Sequence, residues 1–181
     1  MVGRTAFRFG EPDYFVKELE IDDANILQQL YMKCADYNYL MEGQPPSPTA
    51  ALDEFTAIPE GRSLHDKYML GIFDSRDKLI GLLEGMRNYP EERNWWVGLI
   101  MLDPAYRRQG LLSPLSEEFE RYIAGQGIDY VMGSVVEANS KVLRLWRQMG
   151  FKIVRQAECE SENPRLRSWS TIKRKVGDRS S

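Results

Sequence analysis

Three apolar segments in the middle of the chain are separated only by short polar turns, and this spacing restricts the fold more than any other feature. The segments cover residues 67–74, 79–89 and 94–102, and residues 75–78 and 90–93 form the turns. Strands joined by turns this short run antiparallel, because a parallel connection needs a dozen residues or more. The pattern therefore predicts a three-stranded antiparallel meander.

Helical and strand-like patterns flank this meander on both sides. Before it, the sequence predicts a strand over residues 14–21, one helix from Asp22 to Gly43 and a short helix over 50–57. After it, the sequence predicts a helix from Leu111 to Gly125, a strand over 128–136, a helix from Asn139 to Met149, and strands over 152–158 and 166–175. Gly150 followed by Phe151 is a helix C-terminal signal. We expect one mixed α/β domain spanning residues 1–181, with its core in residues 14–175.

The composition excludes several classes of protein. The 181 residues are 43% hydrophobic and 28% charged, as in ordinary globular proteins, which argues against a disordered chain, a collagen-like repeat or a disulfide-rich scaffold. The net charge of −3 argues against a protein that coats nucleic acid. Cys34, Cys159 and the single His65 lack the spacing of metal ligands, so no metal site is expected.

The sequence shows neither a signal peptide at its start nor a run of about 18 apolar residues that could span a bilayer. We therefore expect a cytoplasmic protein with reduced thiols and no membrane partner. Cys34 falls on the apolar stripe of its predicted helix, which favours a packing role in the core.

The loop after the third apolar segment has the composition of an anion site. It carries Arg107, Arg108 and Gln109 before Gly110, and a helix follows at once. Backbone amides at a helix N-terminus attract anions, and a glycine lets a bulky polyanion approach closely. The spacing fits neither GxxxxGK[ST] nor GxGxxG, which excludes the usual phosphate loop for nucleoside triphosphates. A pyrophosphate is therefore the expected ligand. The alternative is an exposed turn without a ligand.

The order of elements and two motifs resemble the GNAT superfamily of acyl-CoA-dependent N-acetyltransferases. Residues 107–112, Arg-Arg-Gln-Gly-Leu-Leu, match the family's Arg/Gln-x-x-Gly-x-Gly/Ala except at Leu112, and residues 102–106 resemble its apolar-x-Pro-x-Tyr lead-in. Residues 139–151 resemble the family's helix that runs from an Asn to Gly-Phe, so the specific similarity covers residues 95–151. The resemblance implies a mostly antiparallel central sheet flanked by helices, with splayed strands forming a coenzyme A cleft.

The resemblance also implies a function and a set of contacts. The function is transfer of the acetyl group of acetyl-CoA, the cosubstrate, to a primary amine of a small molecule or peptide by direct attack. The implied cofactor-binding residues are Met101, Leu102, Arg107, Arg108, Gln109, Gly110, Leu111, Leu112, Ser113, Asn139 and Trp146. Backbone groups of Met101 and Leu102 would hold the pantetheine arm, and the amides of residues 108–113 would wrap the pyrophosphate. Asn139 would hydrogen-bond the pantetheine region, and the Leu102 amide would be the oxyanion donor.

Glu84 is the expected general base. It lies within the apolar run Leu82-Leu83-Glu84-Gly85-Met86, where burial raises the pKa of a carboxyl group. The alternative is a structural ion pair with an arginine such as Arg87 or Arg93, and Glu137 is the second candidate for the base.

Trp146 departs from the family pattern, which often has a tyrosine at this position as the acid for the leaving thiolate. An indole N–H donates a hydrogen bond but is no practical proton source near neutral pH. Packing beside Val142 and Met149 is the alternative role. A thiolate can leave without enzymic protonation, so catalysis is still expected. Trp146 nevertheless sustains a rival hypothesis, a catalytically silent acyl-CoA-binding module that acts as a sensor or scaffold.

The helix before the proline-rich segment offers candidates for the acceptor pocket. Asp36, Tyr37, Tyr39 and Glu42 are acidic or aromatic groups that suit a cationic amine, although a solvated helix face explains them equally. The expected partner is therefore an amine acceptor and not a nucleic acid, while the question of a homodimer stays open.

Overall fold

The computed structural model describes residues 5–11 and 13–178, in which eight strands and five α-helices are found. The strands are β1 Thr5–Phe9, β2 Tyr14–Glu18, β3 Lys67–Phe73, β4 Leu79–Arg87, β5 Asn94–Leu102, β6 Tyr130–Val136, β7 Lys152–Glu158 and β8 Ser168–Lys175. The helices are α1 Ala24–Lys33, α2 Ala35–Met41, α3 Ala50–Thr56, α4 Leu112–Ala124 and α5 Ser140–Gln148. The predicted bounds of β5 and β7 match these to the residue.

The strands form one mostly antiparallel sheet in the order β1-β2-β3-β4-β5-β6-β8-β7. The pair β5–β6 is parallel and aligns residues 94–97 with residues 130–133. Strands β3, β4 and β5 are neighbours in sequence order, as a meander requires. The predicted fold class, a mixed α/β protein with a mostly antiparallel sheet and flanking helices, is confirmed.

The described chain divides into two compact units. The first comprises the described residues up to Gly85 together with Leu99–Tyr122, and the second comprises Met86–Gly98 and the described residues from Ile123 onward. The core of the first unit contains residues from α1, α3 and strands β3 to β5. Its central side chains include Leu27, Leu30 and Leu82, each at most 2% exposed. Removing such side chains from water supplies about 1.5 to 3 kcal/mol each toward folding.

In the second unit, β6 pairs with β5 on one side and β8 on the other, and β7 continues the sheet beyond β8. Helix α5 ends as the sequence predicts. Gly150 adopts a left-handed φ of 84°, and the Phe151 amide donates to the Trp146 carbonyl at 3.0 Å. The Phe151 side chain is buried, and its ring contacts that of Trp146 in the last turn of α5. This is the hydrophobic contact expected of such a helix ending.

The helix predicted from Asp22 to Gly43 is wrong in one respect, because it is two helices with Cys34 between them. The Cys34 amide is shared between the carbonyls of Leu30 and Tyr31, at 2.9 and 3.1 Å, and its ψ of 25° ends the helical path. The Cys34 side chain is fully buried, which confirms the predicted packing role.

None of the helices in the described ranges combines the length and apolar character that crossing a lipid bilayer requires.

Strand β1 is absent from the sequence prediction. It pairs antiparallel with β2 through an irregular register near Thr5 and Phe7, and its burial does not alternate cleanly.

Candidate functional site

At the end of strand β5, the backbone N–H and C=O groups of alternate residues point toward β4, and those of the residues between them point away from it. The Asp103 amide donates to the Ile80 carbonyl at 2.7 Å, and the Met101 carbonyl oxygen lies 2.8 Å from the position that a Cβ on Gly81 would take. Because successive residues of a strand alternate their backbone direction, the N–H and C=O of Leu102 point away from β4. Gly81 is needed here, since any larger residue would collide with the Met101 carbonyl.

Arg107 holds the Leu102 carbonyl from within the loop. Its Nε donates to that oxygen at 2.8 Å, and the Cys34 thiol approaches the same oxygen at 3.4 Å. The remaining guanidinium nitrogens bind the Asp36 carboxylate of α2 at 2.5 and 3.0 Å. The Arg107 guanidinium thereby holds the pKa of Asp36 below its usual value. Arg107, predicted to bind the cofactor, and Asp36, predicted to line the acceptor pocket, therefore form an ion pair with each other.

A short 3-10 helix, Pro104–Tyr106, fixes the first half of the loop. The Asp103 carboxylate accepts from the Ala105 amide at 3.0 Å, and the Tyr106 hydroxyl donates to Asp74 at 2.8 Å. Asp74 also accepts the amides of the β3–β4 turn. The loop is thus anchored to the neighbouring hairpin before it reaches its glycine.

The second half of the loop exposes a row of free backbone donors. Arg108 and Gly110 both adopt left-handed φ values, 62° and 75°. None of the amides of residues 108–113 has an acceptor among the described residues. These donors lie at the N-terminus of the 13-residue helix α4, where the helix dipole adds positive potential. The Arg108 side chain is exposed and has no ion-pair partner in the described part of the chain.

Glu84 is buried on β4 and paired with a lysine. Its carboxylate lies 3.0 Å from the Lys67 ammonium at the start of β3, and its side chain is only 8% exposed. Burial raises the pKa of Glu84, and Lys67 opposes that rise without cancelling it. The predicted apolar setting is confirmed. An ion pair also exists, but the partner that β3 places beside β4 is Lys67 rather than a nearby arginine, and Arg93 binds Asp129 at 2.6 Å.

The same lysine binds a second carboxylate. Lys67 Nζ lies 3.0 Å from Glu54 of α3 and 2.7 Å from the Ala57 carbonyl, and the Tyr31 hydroxyl donates to the other oxygen of Glu54 at 3.1 Å. Lys67, Glu54 and Tyr31 are absent from the predicted site residues. The available signal was Lys67 itself, a charged residue opening an otherwise apolar strand that a short turn brings back beside β4.

In the second unit, Asn139 caps helix α5. Its side-chain oxygen accepts from the Val142 amide at 3.4 Å. Trp146 packs edge-on against Phe151, with ring centroids 4.6 Å apart. The alternative role from the sequence is packing beside Val142 and Met149, and Phe151 is the aromatic contact in the structure. Glu137 accepts from Gln156 at 2.6 Å and from Ser170 at 2.9 Å, and these bonds lower its pKa. A carboxyl group whose pKa is lowered is the weaker candidate for the base.

The sequence profile of the Acetyltransferase (GNAT) family matches residues 25–151, and the chain belongs to this family. Acetyl-CoA is the cosubstrate of the family. Most of the predicted site residues, namely Glu84, Met101, Leu102 and residues 107–113, fall in the first unit, whereas Asn139 and Trp146 fall in the second.

Solved structures of acetyltransferases share the fold. An acetyltransferase from Thermus thermophilus is 17% identical, with a TM-score of 0.71 over 90% of this chain and 97% of that one. Spermidine N-acetyltransferase from Vibrio cholerae, solved with CoA and spermine, is 18% identical with a TM-score of 0.69 over 90% and 95%. The ribosomal-protein-S18-alanine N-acetyltransferase of Escherichia coli is 15% identical with a TM-score of 0.66 over 93% and 97%. No match was found among curated protein sequences.

Proposed function

We propose that this protein is an N-acetyltransferase that moves the acetyl group of acetyl-CoA to a primary amine of a small molecule or peptide. The observation that carries the proposal is the row of unbonded amides over residues 108–113, at the start of α4 and directly after β5. Six backbone donors without acceptors suit a pyrophosphate, which offers many oxygens at close spacing. The family match supports the same assignment.

The edge of β5 supplies the reaction centre in this proposal. The pantetheine arm lies along Met101 and Leu102, and the Leu102 amide, which points away from β4, donates to the thioester oxygen as negative charge develops there. The Arg107 guanidinium holds the carbonyl of the same residue through a charged hydrogen bond, which fixes the backbone at the end of β5.

The chemical step is direct attack. The amine nitrogen forms a bond to the thioester carbon, the carbon–sulfur bond breaks, and coenzyme A leaves as its thiolate. The nitrogen then releases its second proton to solvent as the neutral amide forms. The acceptor ammonium loses its proton to Glu84 before attack, directly or through solvent. The raised pKa of Glu84 suits this role, because a stronger base near the working pH transfers protons more effectively.

Asn139 and Trp146 keep their predicted roles as cofactor contacts, and both stay predictions. A second candidate function, a silent acyl-CoA-binding module, is favoured by the indole at Trp146. This side chain packs on Phe151 and supplies no acid to the leaving thiolate.

Two measurements test the proposal. Acetyl-CoA at about 100 times its dissociation constant should stabilise the protein by roughly 2.7 kcal/mol, which raises the melting temperature by about 5 to 10 °C for a chain of this size. A thiol-release assay over polyamines, amino acids, aminoglycosides and N-terminal peptides should then find an acceptor. No thermal shift contradicts both candidate functions, and tight binding without turnover across the panel favours the silent module.

A further inference from the structure

The Lys67 ammonium lies in a buried site with two carboxylates. Its side chain is 4% exposed, and its three closest oxygens belong to Glu54, Glu84 and the Ala57 carbonyl, at 3.0, 3.0 and 2.7 Å. An ammonium group has three protons to donate, so these three acceptors use all of them. Lys67 therefore has no proton left for a substrate contact, and its role is directed at the two carboxylates.

The two carboxylates depend on Lys67 to lie together. Both are within reach of one nitrogen, and two carboxylates this close, of which Glu84 is buried and Glu54 partly exposed, would repel each other without a cation between them. Glu54 is further fixed by the Tyr31 hydroxyl at 3.1 Å, which links α1 to α3. The arrangement is a carboxylate–ammonium–carboxylate triad formed by Glu54, Lys67 and Glu84.

We propose that Lys67 is a positioning residue for acetyl transfer: by holding Glu54 and Glu84 on one buried ammonium, it fixes the Glu84 carboxylate and sets the pH range in which Glu84 takes the acceptor's proton. This inference rests on the proposed function, because it assigns Glu84 a proton to take. Glu54 acts in the opposite direction to Lys67, since its negative charge disfavours ionisation of Glu84.

The electrostatic surroundings of Glu84 agree with this division. Burial is the largest effect and raises the pKa of Glu84, Lys67 lowers it, and Glu54 raises it. Tyr31 and Tyr37 are the other titratable groups that interact with Glu84, and burial, followed by Glu54, raises the pKa of each tyrosine, so both remain neutral. Lys67 is therefore the cation that opposes the effect of burial on the Glu84 carboxylate.

The test measures the titration of Glu84 directly, by NMR of ¹³C-carboxyl-labelled glutamate in the full chain, with the Glu84 signal assigned through Glu84→Gln. We expect Lys67→Met to move the Glu84 midpoint upward by about one to two pH units and Glu54→Gln to move it downward by about half a pH unit to one pH unit. Glu60→Gln, which changes an exposed carboxylate in the turn after α3, should leave it in place.

Opposite shifts support the proposal, because they show that Lys67 and Glu54 act on the Glu84 carboxylate in opposite directions, and the pH–rate profile then separates a positioning role from a structural one. Absence of a shift in both variants, or shifts of the same sign, would overturn it. If Lys67→Met does not fold, Glu54→Gln decides alone, since Glu54 is partly exposed and the glutamine oxygen can still accept from Lys67 while its NH2 group donates to the Tyr31 hydroxyl oxygen.

Turnover gives a separate readout. The acid limb of kcat should follow the two NMR titrations, so that Lys67→Met loses about tenfold in kcat on that limb for every pH unit by which the Glu84 midpoint rises. The rate should recover at higher pH, while KM for acetyl-CoA stays unchanged. An unmoved pH profile in a variant with a displaced Glu84 titration overturns the positioning role. If the wild type turns over no acceptor, the proposed function fails, whereas the NMR titration still reports on the triad.

Discussion

In the proposed mechanism, Glu84 is the residue that takes the proton of the acceptor amine. It is buried on β4, paired with Lys67, and its pKa is raised. Replacing Glu84 with Gln should lower kcat about 10²- to 10⁴-fold and remove the acid limb of the pH–rate profile, because the isosteric amide cannot take a proton. Binding of acetyl-CoA should be retained. A profile with the wild-type acid limb would reject Glu84 as the base.

Trp146 tests whether the protein needs an acid for the leaving thiolate. Trp146→Phe keeps an aromatic ring against Phe151, and Trp146→Tyr adds the phenol that the family often has here. If the thiolate leaves unaided, both variants should turn over within about tenfold of each other, because no acid catalysis is gained. A tyrosine variant faster than the phenylalanine variant by more than that factor would show that the missing acid limits the wild-type rate.

The burial of Glu84 is predictable from the sequence, but its ion-pair partner is not. The burial of Glu84 is predictable because its four nearest neighbours in sequence are apolar or glycine. Its partner is not predictable in the same way, because Lys67 and Glu54 lie 17 and 30 residues upstream and reach it only through the packing of β3 and α3. The sequence favours a nearby arginine as the partner of Glu84, but the packing of β3 beside β4 supplies Lys67 instead.

At the scale of elements, the break between α1 and α2 brings two side chains into contact with the end of β5 and the loop that follows it. It places Asp36 in the first turn of α2, where it binds Arg107, while Cys34 faces the Leu102 carbonyl. No glycine or proline marks this break in the sequence, so the pattern of apolar residues predicts one continuous helix. The break is instead accompanied by contacts from a loop about 70 residues away.

The Arg107–Asp36 pair should couple the stability of α2 to the loop. Asp36→Asn should cost about 0.5 to 1 kcal/mol, and Arg107→Gln should cost more, because it also removes the hydrogen bond to the Leu102 carbonyl. The double variant should cost no more than Arg107→Gln alone, because both single variants remove the same bidentate contact. Urea denaturation of the four proteins measures this cycle. Strict additivity would contradict a direct coupling.

The pair also has a defined pH dependence. The pKa of Asp36 is lowered by Arg107, so its stabilising effect is fully present above its usual value of 3.8 and is lost as the pH falls through the lower folded value. The difference between wild type and Asp36→Asn should therefore shrink below about pH 4. A difference that stays undiminished as the pH falls further would contradict the lowered pKa of Asp36.

On the scale of the whole molecule, the net charge of −3 offers no general attraction for a polyanion such as coenzyme A. Local donors and Arg108 must therefore supply it. Arg108→Glu should weaken acetyl-CoA binding about tenfold, and more so at low salt, because charged contacts near the surface are screened by ions. Arg165→Glu changes another exposed arginine and the net charge equally, and it should leave affinity unaltered. Equal losses in both variants would indicate a general charge effect instead of a loop contact.

The fold is largely predictable because its signals are local. Short turns fix the meander, and the Gly150-Phe151 ending fixes α5. Strand β1 is missed because a short strand with irregular burial depends on pairing with β2 more than on its own pattern. In the site, the loop at residues 107–113 is predictable as one continuous motif, whereas the triad is assembled from separate elements, α3, β3 and β4, and leaves no compact signature.

The most direct test of the central claim is a titration of ¹⁵N-labelled protein with acetyl-CoA, followed through the backbone amide signals. We predict that the largest shifts occur at the amides of residues 108–113 and of Leu102. The first group has no acceptor in the described part of the chain, and the Leu102 amide points away from β4. Saturating acetyl-CoA that leaves these amides unmoved, whether or not it shifts others, would contradict the assignment of this loop as the acetyl-CoA site.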